Sequence, residues 1–258
     1  MTELSGTRYF AAIEQGTDLL AGIVADNDPG LRIPTCPEWS LRQLGTHVGR
    51  LHRWIAEMAA TRSAEAIPAR QVPDGRYPDD RADQAIWLRT GARRVVEAVQ
   101  AAGESPMYAF AGTGPASFWA RRMAHETLVH RVDAQIAAGV EPEIDPVLAA
   151  DAIDEFLGLL SSPRYQHEDR AAGALPAGVL MQLHASDDGL DGAGEWLVRQ
   201  DGERISVEHG HGHGDVAISG PAASLLLMLV RRRPAAGEDL TVHGNRGLLS
   251  DWLDRTPY

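Results

Sequence analysis

Residues 118–131 read Phe118-Trp119-Ala120-Arg121-Arg122-Met123-Ala124-His125-Glu126-Thr127-Leu128-Val129-His130-Arg131, an amphipathic stretch that the spacing of its apolar residues predicts to be helical. Successive helical residues advance by about 100°, so Glu126 and His130 differ by roughly 40° and project from one face. His125 and His130 differ by roughly 140° and do not share it. The string is therefore not a zinc-protease motif, which needs histidines at i and i+4 with the glutamate as base; here the glutamate itself has ligand spacing. A carboxylate and an imidazole on one face are half of a metal site.

A second helix-like segment, Leu41 to Trp54, contains His47 and His52. The same arithmetic lets one of them reach a common centre. The expectation falls on His47, whose neighbours at helical spacing, Leu44, Val48 and Leu51, are apolar and turn its face inward. His47, Glu126 and His130 make the predicted three-ligand set of an open divalent-metal centre, zinc or another ion of that class. The bland reading is an ordinary i,i+4 pair beside a core histidine.

Outward from these segments, helices are predicted over Thr2–Ala25, Ser40 to about Ala60 with Ser40 as N-cap, Asp80–Ala102, and Pro115–Ala138, where Gly139 stops the last. Four long helices form a bundle able to hold an ion between facing helices. Pro146–Leu160 reads as a fifth helix. From there the period changes: Val179–Ala185, Glu195–Arg199, Arg204–Glu208, Val216–Ser219 and Leu240–Val242 read as strands, Pro221–Arg232 and Asn245–Leu253 as helices. The chain is expected to divide into a helical domain, 1–162, and a small α+β domain, 176–258, with a polar linker between.

Composition sets outer limits. The 258 residues are 44% hydrophobic and 23% charged, enough for a sizeable core, with no apolar run of membrane-spanning length. A formal charge of −12 disfavours nucleic acid, and no membrane partner is expected. All 24 basic residues are arginine, which excludes Schiff-base lysine chemistry and a phosphate-loop lysine. Cys36 is the single cysteine, so no internal disulfide forms, and Met1–Ala11 lacks the pattern of a secretory signal; a cytoplasmic setting is expected. Cys36, preceding a proline at a helix entrance, is read as structural.

The wording of several segments carries a resemblance. Pro34-Thr35-Cys36-Pro37-Glu38-Trp39-Ser40 leading into the His47 helix, and Arg121-Arg122-Met123-Ala124-His125-Glu126 running on to His130-Arg131-Val132-Asp133-Ala134, resemble the mycothiol-dependent maleylpyruvate isomerase family. So do Leu183-His184-Ala185-Ser186-Asp187, Gly194-Glu195-Trp196-Leu197-Val198, Ser219-Gly220-Pro221-Ala222-Ala223 and Val242-His243-Gly244-Asn245-Arg246 in the second half. The resemblance implies a DinB-like four-helix bundle with a C-terminal domain similar to sterol carrier proteins, and zinc on His47, Glu126 and His130. It implies an isomerase or S-transferase in which mycothiol, a low-molecular-weight thiol, adds to an electrophilic substrate. The chain is expected as a monomer or homodimer.

Other residues receive expectations of their own. Arg131 and Asp133 are read as turned away from the ion, in an interhelical or helix-end ion pair. Arg231, Arg232, Arg233 and Arg246 are candidates for gripping a carboxylated substrate, or else a solvated cluster. His209-Gly210-His211-Gly212-His213 would align three imidazoles if it formed a strand, but its glycines favour a loop. Trp39, Trp54, Trp119 and Trp196 are assigned to packing. The alternatives to an enzyme are a non-catalytic small-molecule or lipid carrier and, with less support, a redox-sensing regulator.

Overall fold

The computed structural model describes residues 4–110, 112–162, 173–202, 204–235 and 237–256. They form two compact units, one spanning Leu4–Pro142 and the other beginning at Glu143.

The first unit is built on α1 (Gly6–Asp26), α2 (Leu41–Thr61), α3 (Arg81–Ala102) and α4 (Ser117–Ala137), with a short hairpin, β1 (Pro106–Tyr108) and β2 (Thr113–Pro115), before α4. The helix starts follow from local chemistry. Ser40 accepts the backbone N–H of Gln43 while the Gln43 side chain accepts that of Ser40, a reciprocal capping box that satisfies otherwise orphaned donors. Asp80 caps α3 through the N–H groups of Ala82 and Asp83. The hairpin is absent from the sequence expectation because its strands are three residues long and bounded by prolines.

Helix α1 packs on α3 and α4, and α2 packs on α3 more closely than on α4. The closeness of α2 to α3 depends on Gly49, where a Cβ would fall 1.9 Å from the Trp87 ring. The apolar interior falls into two clusters. One contains Tyr9, Ile13, Ile55, Met58, Trp119 and Met123; the other contains Leu20, Val24, Leu44, Val48, Leu88 and Ala134. Between them along α1, α2 and α4 lie buried polar residues: Thr17 on α1, His52 and Arg53 on α2, and Thr127, His130 and Asp133 on α4. Such a belt is tolerated in a core only where its groups find partners, and it is here that the candidate site forms.

The second unit comprises α5 (Pro146–Leu160), β3 (Leu180–Ala185), β4 (Glu195–Asp201), β5 (Arg204–His209), β6 (Val216–Gly220), α6 (Ala222–Leu229), β7 (Thr241–Gly244) and α7 (Arg246–Arg255). The strands form one mixed sheet in the order β5-β4-β3-β6-β7, with β3 and β6 parallel and the other pairs antiparallel. Alternation sends Met181 and Leu183 of β3 and Trp196 and Val198 of β4 into the core; Gln182, His184, Glu195 and Leu197 occupy the opposite face. Helix α6 packs on β3, β6 and α5.

The division of the chain differs from the expected 1–162 and 176–258. Helix α5 groups with the sheet: its Asp154 accepts hydrogen bonds from His209 Nε2 at 2.8 Å and Trp196 Nε1 at 3.4 Å, and its apolar side packs on α6. An apolar helix goes where its buried face finds a partner, and periodicity alone does not name that partner. Residues 163–172, most of the expected linker, lie outside the described residues.

Candidate metal centre

Helix α2 presents His47, and α4 presents Glu126 and His130 one turn apart. His47 Nε2 and His130 Nε2 each lie 3.2 Å from Glu126 Oε1. One donor atom from each residue falls within 4.8 Å of the other two. The rings of His47 and His130 meet edge to face with centroids 4.9 Å apart. The three residues singled out in the sequence are thus brought together by α2 and α4.

Surrounding groups orient two of the three donors. Asp133, fully buried, binds His130 Nδ1 through Oδ2 at 2.9 Å, which leaves Nε2 for the centre. Thr35 donates its hydroxyl to the other Asp133 oxygen at 2.6 Å, and the Cys36 thiol lies 3.7 Å from Oδ2. Arg122 binds Glu126 Oε2 and leaves Oε1 between the imidazoles. Burial pulls the His130 pKa down, but the hydrogen bonds the ring donates to the Asp133 and Glu126 carboxylates outweigh it and carry the ring to about 9. Burial raises the Glu126 pKa; the Arg122 charge and the two imidazoles overcome it and hold the carboxyl well below its usual range. Two imidazoles and a carboxylate, with His130 held by Asp133 and Glu126 by Arg122, match the donor set of a divalent-metal site.

The other histidines of these helices do not join them. His52 is buried with Nε2 2.9 Å from Thr127 Oγ1, and burial lowers its pKa to about 3. His125 packs edge-on against Tyr9. Asp133 lies behind His130 rather than at the centre, and its ion pair is with the outer nitrogen of that ring at i+3, a spacing visible in the sequence. Arg131 donates to Gln135 Oε1 at 2.8 Å, one turn along the same helix. Trp39 is more than packing, since its ring lies 4.9 Å from His47 and 5.7 Å from His130 and lines the approach to both.

His47 is about one-third exposed and opens into a groove of about 1130 Å³. One wall is α2, with Arg42, Thr46, Arg50 and Trp54; the other is the 67–76 segment, with Ile67, Arg70, Val72 and Arg76. That segment is pinned from below. Buried Arg53 stacks on Trp87 at 3.6 Å from its centroid and binds the Asp74 carboxylate at 3.1 Å, while Arg50 donates to Gly75 O at 2.9 Å. The sequence reading passed over these groove arginines, although Arg42, Thr46 and Arg50 recur at helical spacing around His47. Its own candidates, Arg231, Arg232 and Arg233, follow α6 in the second unit, where Arg233 pairs with Asp239 at 3.2 Å; Arg246 opens α7.

A four-helix unit with a His/Glu/His cluster beside a groove, joined to a mixed-sheet unit, defines the class of protein. Two family models match it: the mycothiol maleylpyruvate isomerase N-terminal domain over residues 9–135, and the MDMPI C-terminal domain over residues 147–251. The chain belongs to the mycothiol-dependent maleylpyruvate isomerase family. Its fold is similar to the crystal structure of the mycothiol-dependent maleylpyruvate isomerase, with a TM-score of 0.55 at 16% identity over 94% of this chain and 95% of that one. A histidine-to-alanine mutant of that enzyme gives 0.58 at 15% identity with the same coverage. No curated protein matches the chain. No helix among the described residues is long and apolar enough to cross a membrane.

Proposed function

We propose that the chain is a zinc-dependent enzyme that activates a low-molecular-weight thiol, mycothiol, for addition to an electrophilic substrate, giving isomerisation or S-transfer. The observation that carries this reading is the convergence of His47, Glu126 and His130 at the edge of a groove large enough for a thiol and a small acceptor. Zinc held by two imidazoles and one carboxylate keeps net positive charge and an open position, which brings the pKa of a thiol toward neutrality.

The protein's own groups supply the rest. Asp133 fixes the orientation of His130, and Arg122 that of Glu126. Trp39 covers both imidazoles and limits water at the sulfur. The guanidinium groups of Arg42, Arg50, Arg70 and Arg76 line the groove and favour an acceptor bearing carboxylates. Sulfur adds to one carbon of an activated alkene, the remaining single bond rotates, and expulsion of the same sulfur restores the alkene with inverted geometry. When sulfur is retained and the adjacent carbon takes a proton, the product is the S-conjugate.

Elemental analysis paired with calorimetric titration of mycothiol tests this reading on native protein and His47→Ala. The expected result is one zinc at this centre and saturable thiol binding in the native chain, with both lost in the variant. Thiol binding that is unchanged by His47→Ala would refute it. A non-catalytic carrier, the alternative, gives the three converging donors no role.

A further inference from the structure

We infer that the second unit carries a metal site of its own, independent of the proposed enzymatic function, in which His184, Glu195 and His211 hold a divalent ion of the zinc class. The three donors belong to separate pieces of chain. His184 lies on β3 directly opposite Glu195 on β4, an antiparallel pair whose side chains stand together on the face away from the core. His184 Nδ1 is 2.8 Å from Glu195 Oε1. His211 comes from the segment after β5, and its Nδ1 is 3.2 Å from the same oxygen. One donor atom of each residue lies within 4.8 Å of the other two.

The glycines around His211 bring it there. The histidine-rich segment is a loop lying over the outer face of the sheet, with Gly212 against Leu197. At Gly214 a Cβ would fall 2.6 Å from Val216 O and 3.0 Å from Leu180 O, so a glycine there permits the close approach. The alternating pattern His209-Gly210-His211-Gly212-His213 thus does not gather its own three imidazoles. His209 is held by Asp154 at 2.8 Å, and His211 alone joins the strand pair.

The donors converge on one oxygen. His184 Nδ1 and His211 Nδ1 both reach Glu195 Oε1, and Gln182 Nε2 stands 3.2 Å from His211 Nδ1, so a cation placed among them would meet two imidazoles and one carboxylate. Two imidazoles and one carboxylate suit zinc, nickel or copper better than calcium or magnesium. The half-exposed setting leaves solvent on the remaining positions, and the bound ion fastens the 210–214 loop to β3 and β4.

The test uses metal-stripped, full-length protein dialysed against Zn²⁺. A His47→Ala/His130→Ala chain, which lacks the ligands of the helical centre, is expected to retain one zinc per chain; adding His211→Ala or Glu195→Gln should weaken that binding at least tenfold. His211 is mostly exposed, so its substitution leaves the fold intact, as circular dichroism would verify. Should the double variant misfold, the native chain is expected to lose one zinc equivalent on His211→Ala alone. Equal zinc content with and without His211 and Glu195 would overturn the inference. Failure of the helical centre gives a different result: native and double-variant chains would bind equal zinc, and both would lose it with His211.

Discussion

The carboxylate of Asp133 holds the imidazole of His130 at 2.9 Å from a position with no solvent exposure. A carboxylate behind a ligating histidine fixes the tautomer, aims the free nitrogen and raises its basicity. Asp133→Asn keeps the shape and removes the charge. Zinc affinity is expected to fall about 10- to 100-fold, the usual cost of losing such a partner, while far-ultraviolet circular dichroism stays unchanged. Competition against a chromophoric chelator measures it, and native affinity in the variant would deny Asp133 a positioning role.

Metal binding should expel protons. Without an ion, His130 has a pKa of about 9 and donates to carboxylates from both nitrogens at neutral pH. Coordination needs the Nε2 lone pair, so about one proton leaves this ring for each ion bound at pH 7. Calorimetry in buffers of different ionisation enthalpy reads the number directly. Zinc affinity should drop about tenfold per pH unit below 9; flat affinity from pH 6 to 8 would contradict it.

His52 contributes a pH dependence of opposite sign to that of His130. Its pKa falls from 6.5 to about 3, chiefly through burial. Between those values the unfolded chain binds a proton that the folded chain refuses, so stability declines as pH drops from 6.5 toward 3, by up to about 1.4 kcal/mol per pH unit. His130, raised instead, stabilises the metal-free fold fully below 6.5 and loses that contribution as pH rises through 9. Urea unfolding at pH 7 and pH 5 should show a smaller pH difference in His52→Leu than in the native chain. The same difference in both would show that His52 is not the source.

The α2–α3 contact sets a further expectation. Gly49→Ala places a methyl group 1.9 Å from the Trp87 ring, against which buried Arg53 is stacked. Overpacking of this kind costs about 1–3 kcal/mol. Thermal melting should fall by several degrees, and because Arg53 anchors the Asp74 segment, proteolysis within residues 67–76 should quicken. An unchanged melting temperature would mean the helices can separate at little cost.

Most of the fold was legible from periodicity and caps. Ser40, Asp80 and Asn245 mark helix starts where the structure has them, and Glu195 and Arg204 open strands as expected. The convergence of His47, Glu126 and His130 followed from angles on two helices, since a helix face is a local property. Asp133 was assigned to an ion pair without its partner, the His130 ring three residues away, being named. The rest of what escaped was non-local. Helix α5 was put with the wrong unit, because its apolar face does not say which surface it will cover. His184 and Glu195 are eleven residues apart in sequence and strand register makes them neighbours, while the loop after β5 brings His211 to them.

His47, Glu126 and His130 all come from residues 4–142, as do both walls of the groove. The unit that carries the candidate ligands therefore owes none of those donors to the unit that follows. Under the proposed thiol chemistry, exchange of the C-terminal module would leave the whole ligand set in place.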